Sequence, residues 1–370
     1  MRRVSKVAVI AVSGALALTA TACGSKPKDD DKGSQPSAGS TATGGAGATN
    51  AANFKGCMVT DQGGVDDRSF NAAAWAGFNK ANKELGMQIK KVDSKTENDY
   101  VPNIDSLVAD KCDVIVSVGG LMAKATGEAA KKNPNQKFII VDSSSVEPNI
   151  KGLEYNTAQA AFMGGYLAAS QSKSGKVATF GGMKIPPVTI YMDGFVEGVN
   201  YYNKQKNKSV QVLGWDVAKQ EGSIAGKFDS QADGQRIAKD FIAQGADVIH
   251  PVAGATGLGA AAEAKESGKA VIVWVDTDGY ESAANYKEVM LSTVTKAMTE
   301  SVFLSLKEAS ENKYTTKPYL GTLANDGVGL APFHDFDSKV SAETKAELAK
   351  IKSDIVAGTI KVESAAAPKG

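Results

Sequence analysis

Histidine and cysteine are scarce in this chain. Its 370 residues include 2 histidines, His250 and His334, and 3 cysteines, Cys23, Cys57 and Cys112. That is too few ligands for a zinc cluster, and it disfavours Cys/His catalysis. The length also rules out a miniprotein held by disulfides and leaves room for hydrophobic cores. An excess of either charge is lacking too: 42 Lys+Arg stand against 41 Asp+Glu, a net +1. A nucleic-acid binder needs a basic excess, so that class is excluded. What remains is ordinary soluble composition, 42% apolar and 22% charged, with a length prior of about two domains.

The N-terminus reads as an address. Arg2, Arg3 and Lys6 precede the uncharged apolar run Val7 to Ala20. That run is short for a bilayer span and right for a signal-peptide core. It ends in Ala20-Thr21-Ala22-Cys23, small residues before a cysteine, which resembles a bacterial lipobox. The expected signal peptide is 1–22, with Cys23 as the lipidated residue; an ordinary cleaved signal with an incidental cysteine is the alternative. From Gly24 to Ala52 the chain has no Val, Ile, Leu or aromatic residue, so 23–52 is expected to be a disordered tether. A flexible chain of that length reaches about 30 Å. Cleavage leaves 39 basic and 41 acidic residues, so lipid rather than surface charge would hold the body at the membrane.

From Phe54 onward short apolar runs alternate with helical patterns. Lys55–Thr60, Gln88–Val92, Asp113–Val118 and Lys137–Val141 read as strands, with a shorter one near Gly152–Tyr155. Phe70, Ala74, Phe78, Ala81 and Leu85 recur at helical spacing, and Gly86 stops that helix. A second set follows: strands at Lys176–Phe180, Val210–Trp215, Asp247–His250, Ala270–Val275 and Val289–Ser292. Its helices are expected at about 192–202, 231–243 and 258–267, and two more, at about 296–312 and 338–357, close the chain. Near-continuous Val/Ile strands between helices imply parallel sheets covered on both faces. The fold class is therefore α/β, with two doubly wound lobes. The lobes are expected at 53–171 plus about 294–320 and at 172–293 plus about 321–360. In such sheets ligands sit beyond the carboxyl ends of the strands, here in the cleft between lobes.

The strand-end loops carry the candidate groups. Asp61-Gln-Gly-Gly-Val-Asp-Asp-Arg-Ser-Phe-Asn71 follows the first strand. Asp67 or Ser69 alone could cap the next helix, but so many acceptors beside Phe70 suggest more. Gly119-Gly120, Asp142-Ser143-Ser144-Ser145, Gly181–Pro187, Ala253–Gly259 and Asp276-Thr277-Asp278 end other strands. The 254–259 loop lacks the P-loop ending and the third glycine of a dinucleotide fingerprint, so close helix packing is its simplest reading. Asp276 and Asp278 have no nearby sequence histidine or metal-ligand cluster. They read as acceptors for ligand hydroxyls rather than as an acid/base pair.

Taken in order, these segments resemble the basic membrane protein family of bacterial substrate-binding lipoproteins, which includes the purine nucleoside receptor A group. Phe162–Ala169, Gly175–Pro187, Asp193–Val199, Gly245–Ile249, Ser292–Lys296 and Gly327–Leu330 extend the likeness over most of 54–335. The resemblance implies a type I periplasmic-binding-protein fold with crossover strands. It implies an extracytoplasmic, lipid-anchored, monomeric capture subunit of an ABC importer that hands nucleosides, purines first, to a permease, with no cofactor and no metal. It places Phe70 and Phe228 on the two faces of the base. It places Asp61, Asp67 and Asn71 toward the base or its loop, with Gly119 beside them, and Gly254, Asp276 and Lys296 at the ribose. Two departures point to altered specificity: Lys124 where the family often has aspartate, and Gly279-Tyr280 where it often has glutamine. The alternatives are the same fold with another small polar solute, a ligand sensor or a nucleoside hydrolase.

Cys57 lies in the first strand and Cys112 just before the third, strands that neighbour one another in a 2-1-3 order. In an oxidising compartment a Cys57–Cys112 disulfide is expected, against the alternative of two buried thiols.

Overall fold

The computed structural model describes residues 51–369. The expected signal peptide, the lipidated Cys23 and the tether as far as residue 50 lie outside them. Ala51–Asn53 form a 3-10 turn, two residues ahead of the expected start of the body.

The first lobe runs β1 (Lys55–Thr60), α1 (Phe70–Leu85), β2 (Gln88–Val92), α2 (Tyr100–Ala109), β3 (Val114–Val118), α3 (Ala123–Lys132), β4 (Lys137–Val141) and β5 (Ile150–Tyr155). The chain then crosses over at Asn156. The second lobe runs α4 (Thr157–Gln171), β6 (Lys176–Gly181), α5 (Pro186–Lys206), β7 (Gln211–Leu213), β8 (Trp215–Asp216), β9 (Glu221–Gly222), α6 (Gln231–Ala243), β10 (Val248–Val252), α7 (Ala255–Ser267), β11 (Val271–Asp276), α8 (Gly279–Ser282) and β12 (Met290–Lys296). After a second crossover at Ala297, α9 (Met298–Ser310) and β13 (Tyr319–Gly321) return to lobe one. A third crossover leads to β14 (Val328–Leu330) and α10 (Ala342–Val356) in lobe two.

Each lobe is a 6-stranded sheet, ordered β13-β5-β4-β3-β1-β2 and β14-β12-β11-β10-β6-β7. All pairings within these sheets are parallel except β12 with β14. Every residue of β3 and β10 is buried, as expected for strands with helices on both faces. Helices α1 and α9 cover one face of sheet one and α2 and α3 the other; α4 with α5, and α6 with α7, do the same for sheet two. The crossovers are tied together: Asn156 N donates to Gly321 O at 2.8 Å and Ala297 N to Gly327 O at 2.9 Å.

The expected lobe boundaries need moving. Helix α4 packs on α5 and sheet two, because its Ala160, Ala161, Gly164, Gly165 and Ala168 bury against them; the first crossover therefore falls at 156, not 171. Likewise β12 belongs to sheet two through Lys296, so residues 294–296 are not lobe one. Lys296 ends a strand rather than opening a helix.

Two further shifts have local causes. Helix α5 begins at Pro186, not 192, because the pair Pro186-Pro187 starts a helix rather than prolonging a loop. Strand β10 runs on through Pro251, although proline has no ladder N–H. Its ladder to β11 is recorded only at Val248 and Ile249. There His250 Nδ1 donates to Val273 O at 2.7 Å, supplying the bond that Pro251 cannot. The buried imidazole is neutral, its pKa lowered by desolvation to about 4.

Cys57 and Cys112 form a disulfide, with Cα atoms 5.9 Å apart. No described helix is long and apolar enough to cross a membrane.

Candidate functional site

The carboxyl ends of both sheets face one cavity, and two glycines let side chains fill it. Gly119 follows β3 with φ 119°, and a Cβ there would lie 2.1 Å from Asp61 Oδ2. Only glycine lets the Asp61 carboxyl rest over that strand end. In lobe two a Cβ on Gly182 would lie 2.4 Å from the Phe228 ring, so that glycine is the floor under Phe228.

The loop before α1 is built around Asp67. Its carboxylate accepts from Ser69 N at 3.0 Å, Asn71 N at 2.7 Å and Ala72 N at 3.0 Å. Asp67 thus holds the start of α1 and fixes Phe70 and Asn71. Burial nonetheless lifts its pKa to about 6, against the pull of those donors. Ser69, free of capping duty, donates from Oγ to Asp276 Oδ2 at 2.5 Å, from lobe one to lobe two. Asn71 Nδ2 donates to Asp61 Oδ1 at 3.1 Å, while Asn71 Oδ1 is buried with no partner. Burial pushes the Asp61 carboxyl well above its ordinary range. The pair therefore offers one orphan acceptor beside a carboxyl whose charged form burial disfavours.

At the other end Lys296 is the centre. Its Nζ lies 2.5 Å from Asp142 Oδ2 and 3.7 Å from Asp276 Oδ1. It also sits over the rings of Phe70, Tyr155 and Tyr191, at 5.1, 5.5 and 5.2 Å. Asp142 follows the fourth strand of lobe one and Asp276 ends the corresponding strand of lobe two. Both have left-handed backbones, φ 61° and 69°, costly for non-glycine residues and held by the surrounding bonds. Tyr191 OH completes Asp276, donating to Oδ1 at 2.9 Å.

Residues from both lobes line this cavity. Of the residues expected at the site, Asp61, Asp67, Phe70, Asn71, Gly119, Phe228, Gly254, Asp276 and Lys296 all line it. Lys124 does not. Met122 tucks into the lobe-one core with Ala125 and Thr126, and the helical turn then points Lys124 to solvent. Gly279 and Tyr280 lie outside the lining as well; a Cβ on Gly279 would run into Trp274. Asp278 is turned away and pairs with His334 Nε2 at 2.7 Å. Sequence reasoning did not select Asp142 and Tyr191. Asp142 carried a usable signal, since it ends its strand as Asp276 does. Tyr191 lay in a stretch expected to precede its helix.

Comparison with known proteins agrees with this geometry. Residues 54–366 match the Bmp family, described as ABC transporter substrate-binding protein PnrA-like. The ABC transporter nucleoside-binding protein BmpA of Lactococcus lactis subsp. cremoris is 30% identical over 336 residues, covering 84% of this chain and 89% of that one. Basic membrane protein A of Borreliella burgdorferi is 29% identical, covering 82% and 86%. A solved ABC transporter solute-binding protein from Aeropyrum pernix K1 superposes with a TM-score of 0.77 at 22% identity, covering 86% of this chain and 94% of that one. That likeness supports the type I periplasmic-binding-protein fold. The chain belongs to the PnrA-like Bmp family of ABC transporter substrate-binding proteins, which are binding proteins rather than enzymes.

Proposed function

We propose that this protein captures nucleosides, purines first, in the interlobe cleft and delivers them to an ABC permease. The observation that carries the reading is the pair Phe70 and Phe228, one from each lobe, lining the same cavity. A flat base between two aromatic faces gains stacking that tolerates more than one ring. Asp61 and Asn71 then meet the base edge. Asp276, Lys296 and the backbone near Gly254 meet the sugar hydroxyls. Four carboxyl groups, Asp61, Asp67, Asp142 and Asp276, line the cavity with one amine, Lys296. Such a lining favours an uncharged, donor-rich ligand over a phosphorylated one. The name of the Lactococcus relative points the same way.

Because the ligand touches both lobes, binding favours the closed form, and closure about residues 156, 297 and 322–327 is what a permease would read. Cys23 would carry the lipid that keeps the body, as a monomer, at the outer face of the membrane.

A thermal-shift screen of the purified chain tests the reading, after unfolding and refolding to strip carried-over ligand. Nucleosides, bases, nucleotides and sugars are compared. A ligand that binds only the native state raises the melting temperature by mass action. The expected result is a large rise with nucleosides and none with nucleotides. A rise with sugars alone would leave a binding protein of different specificity.

A further inference from the structure

A second chamber adjoins the cleft. It is lined by Ser143, Ser144, Glu154, Pro186 and Ile190, with Ala366 and Pro368 among its wall residues. Four residues line both spaces: Gly120 and Asp142 from lobe one, Ile185 and Pro187 from lobe two. The partition is therefore a seam between lobes, not a wall within one. On the lobe-one side that seam includes a glycine. A Cβ on Gly120 would lie 2.9 Å from Asp142 O and 3.3 Å from Pro187 Cγ, so a larger residue would press the two lobes apart at the seam.

The wall contributed by the C-terminus is anchored. Ser364 Oγ donates to the buried Asp193 at 2.6 Å, and Glu363 N donates to Glu197 Oε2 at 3.1 Å. Asp193 also accepts from Trp215 Nε1 and Gln220 Nε2, both at 2.8 Å. These bonds hold the segment after α10 along α5 and bring residues 366 and 368 to lobe-one loops.

We propose that this side chamber is a second subsite of the cleft, taking an uncharged or cationic substituent on a nucleoside-like ligand. The proposal rests on the nucleoside reading above. The lining includes the carboxyl groups of Asp142 and Glu154 and the hydroxyls of Ser143 and Ser144, and no lysine or arginine. Lys296, in the main cavity, pairs with Asp142 at 2.5 Å, so Glu154 and the serine hydroxyls are the polar groups this chamber offers; they favour an amine or a hydroxyl and disfavour a phosphate. Ile185, Pro186, Pro187 and Ile190 give the group an apolar face.

Isothermal titration of the full chain, stripped of ligand, tests this. The probes are adenosine and guanosine, their N-benzyl and N-aminoethyl derivatives, and their 5′-monophosphates. At least one extended derivative should bind within about tenfold of its parent, and the monophosphates at least 100-fold more weakly. Ser143→Trp fills the chamber, and removal of residues 365–370 opens its wall. Both changes should leave the parent within about twofold and cost the extended probe about tenfold. Parents that bind while every extended derivative fails would overturn the subsite and leave the nucleoside reading intact. Extended probes indifferent to both changes, or monophosphates bound as well as parents, would overturn it too. If no parent and no derivative binds, the nucleoside reading falls, and the subsite with it.

Discussion

Ser69 reaches across the cleft to Asp276, Oγ to Oδ2 at 2.5 Å, so the two lobes are latched directly to one another. The same carboxylate takes Tyr191 OH on its other oxygen. A hydrogen bond to a charged group contributes roughly 1.5–3 kcal/mol, and this one exists only when the lobes are together. Ser69→Ala should therefore loosen the closed form. The expected outcome is a larger radius of gyration for the ligand-free chain in X-ray scattering and a severalfold weaker affinity. An unchanged scattering profile with unchanged affinity would show that the bond holds nothing.

Phe70 and Phe228 are each half-buried, and both pack on the edge of the main core. If they stack on a base, each truncation to alanine should cost about 1–3 kcal/mol of binding. The stability loss should stay below the 3–5 kcal/mol of a fully buried phenylalanine. Titration calorimetry beside urea unfolding separates the two. A core-sized loss of stability with unchanged affinity would make these rings structural.

Most of this architecture was legible in the sequence, for physical reasons that can be named. β1 and β4 stand where the apolar runs put them, because parallel strands buried on both faces are built mostly of apolar residues. The lobe boundary was not legible. Helix α4 is apolar nearly all round, so its composition does not say which sheet it covers. At the site, strand-end loops exposed Asp61, Phe70 and Asp276, since polar groups after a buried strand need a reason. Lys124 misled because one turn of 3-10 helix at Gly120–Met122 sets the phase of α3, and spacing alone does not give that phase. The Ser69 latch was hidden for a similar reason: Asp67 does the capping that Ser69 could have done.

Asp67 and His250 should tilt the pH dependence of stability in opposite directions. Asp67 has a folded pKa of about 6, above the unfolded carboxyl value. The native state then binds the extra proton between about pH 4 and 6, and Asp67's contribution falls as pH rises through that window. His250 has a folded pKa of about 4, below its ordinary 6.5. The unfolded state then binds the extra proton, and His250's contribution is lost as pH falls from about 6.5 to 4. Each effect is at most about 3 kcal/mol. Melting temperatures of the ligand-free chain between pH 4.5 and 7.5 check both. Relative to wild type, Asp67→Asn should gain stability toward neutral pH, and His250→Phe should lose less on acidification. Parallel profiles for all three would remove both assignments.

The Cys57–Cys112 bond should matter for stability and not for binding. It closes a loop with a sequence separation of 55, for which the chain-entropy model gives up to about 4 kcal/mol. Cys57 is the third residue of β1 and Cys112 precedes β3, so the bond sits away from the carboxyl ends that face the cavity. Lys55 N donates to Asp113 Oδ2 at 2.7 Å at that same end, so part of the junction survives reduction. The double variant Cys57→Ser, Cys112→Ser should unfold at clearly lower urea yet bind its ligand within about twofold of wild type at a temperature where both are folded. The loop spans α1, β2 and α2, which pack around the start of lobe one, so the constraint acts mainly on the unfolded chain. A large loss of affinity in the folded double variant would mean instead that the disulfide sets the pairing of β1 and β3, and with it the placement of Asp61 over Gly119.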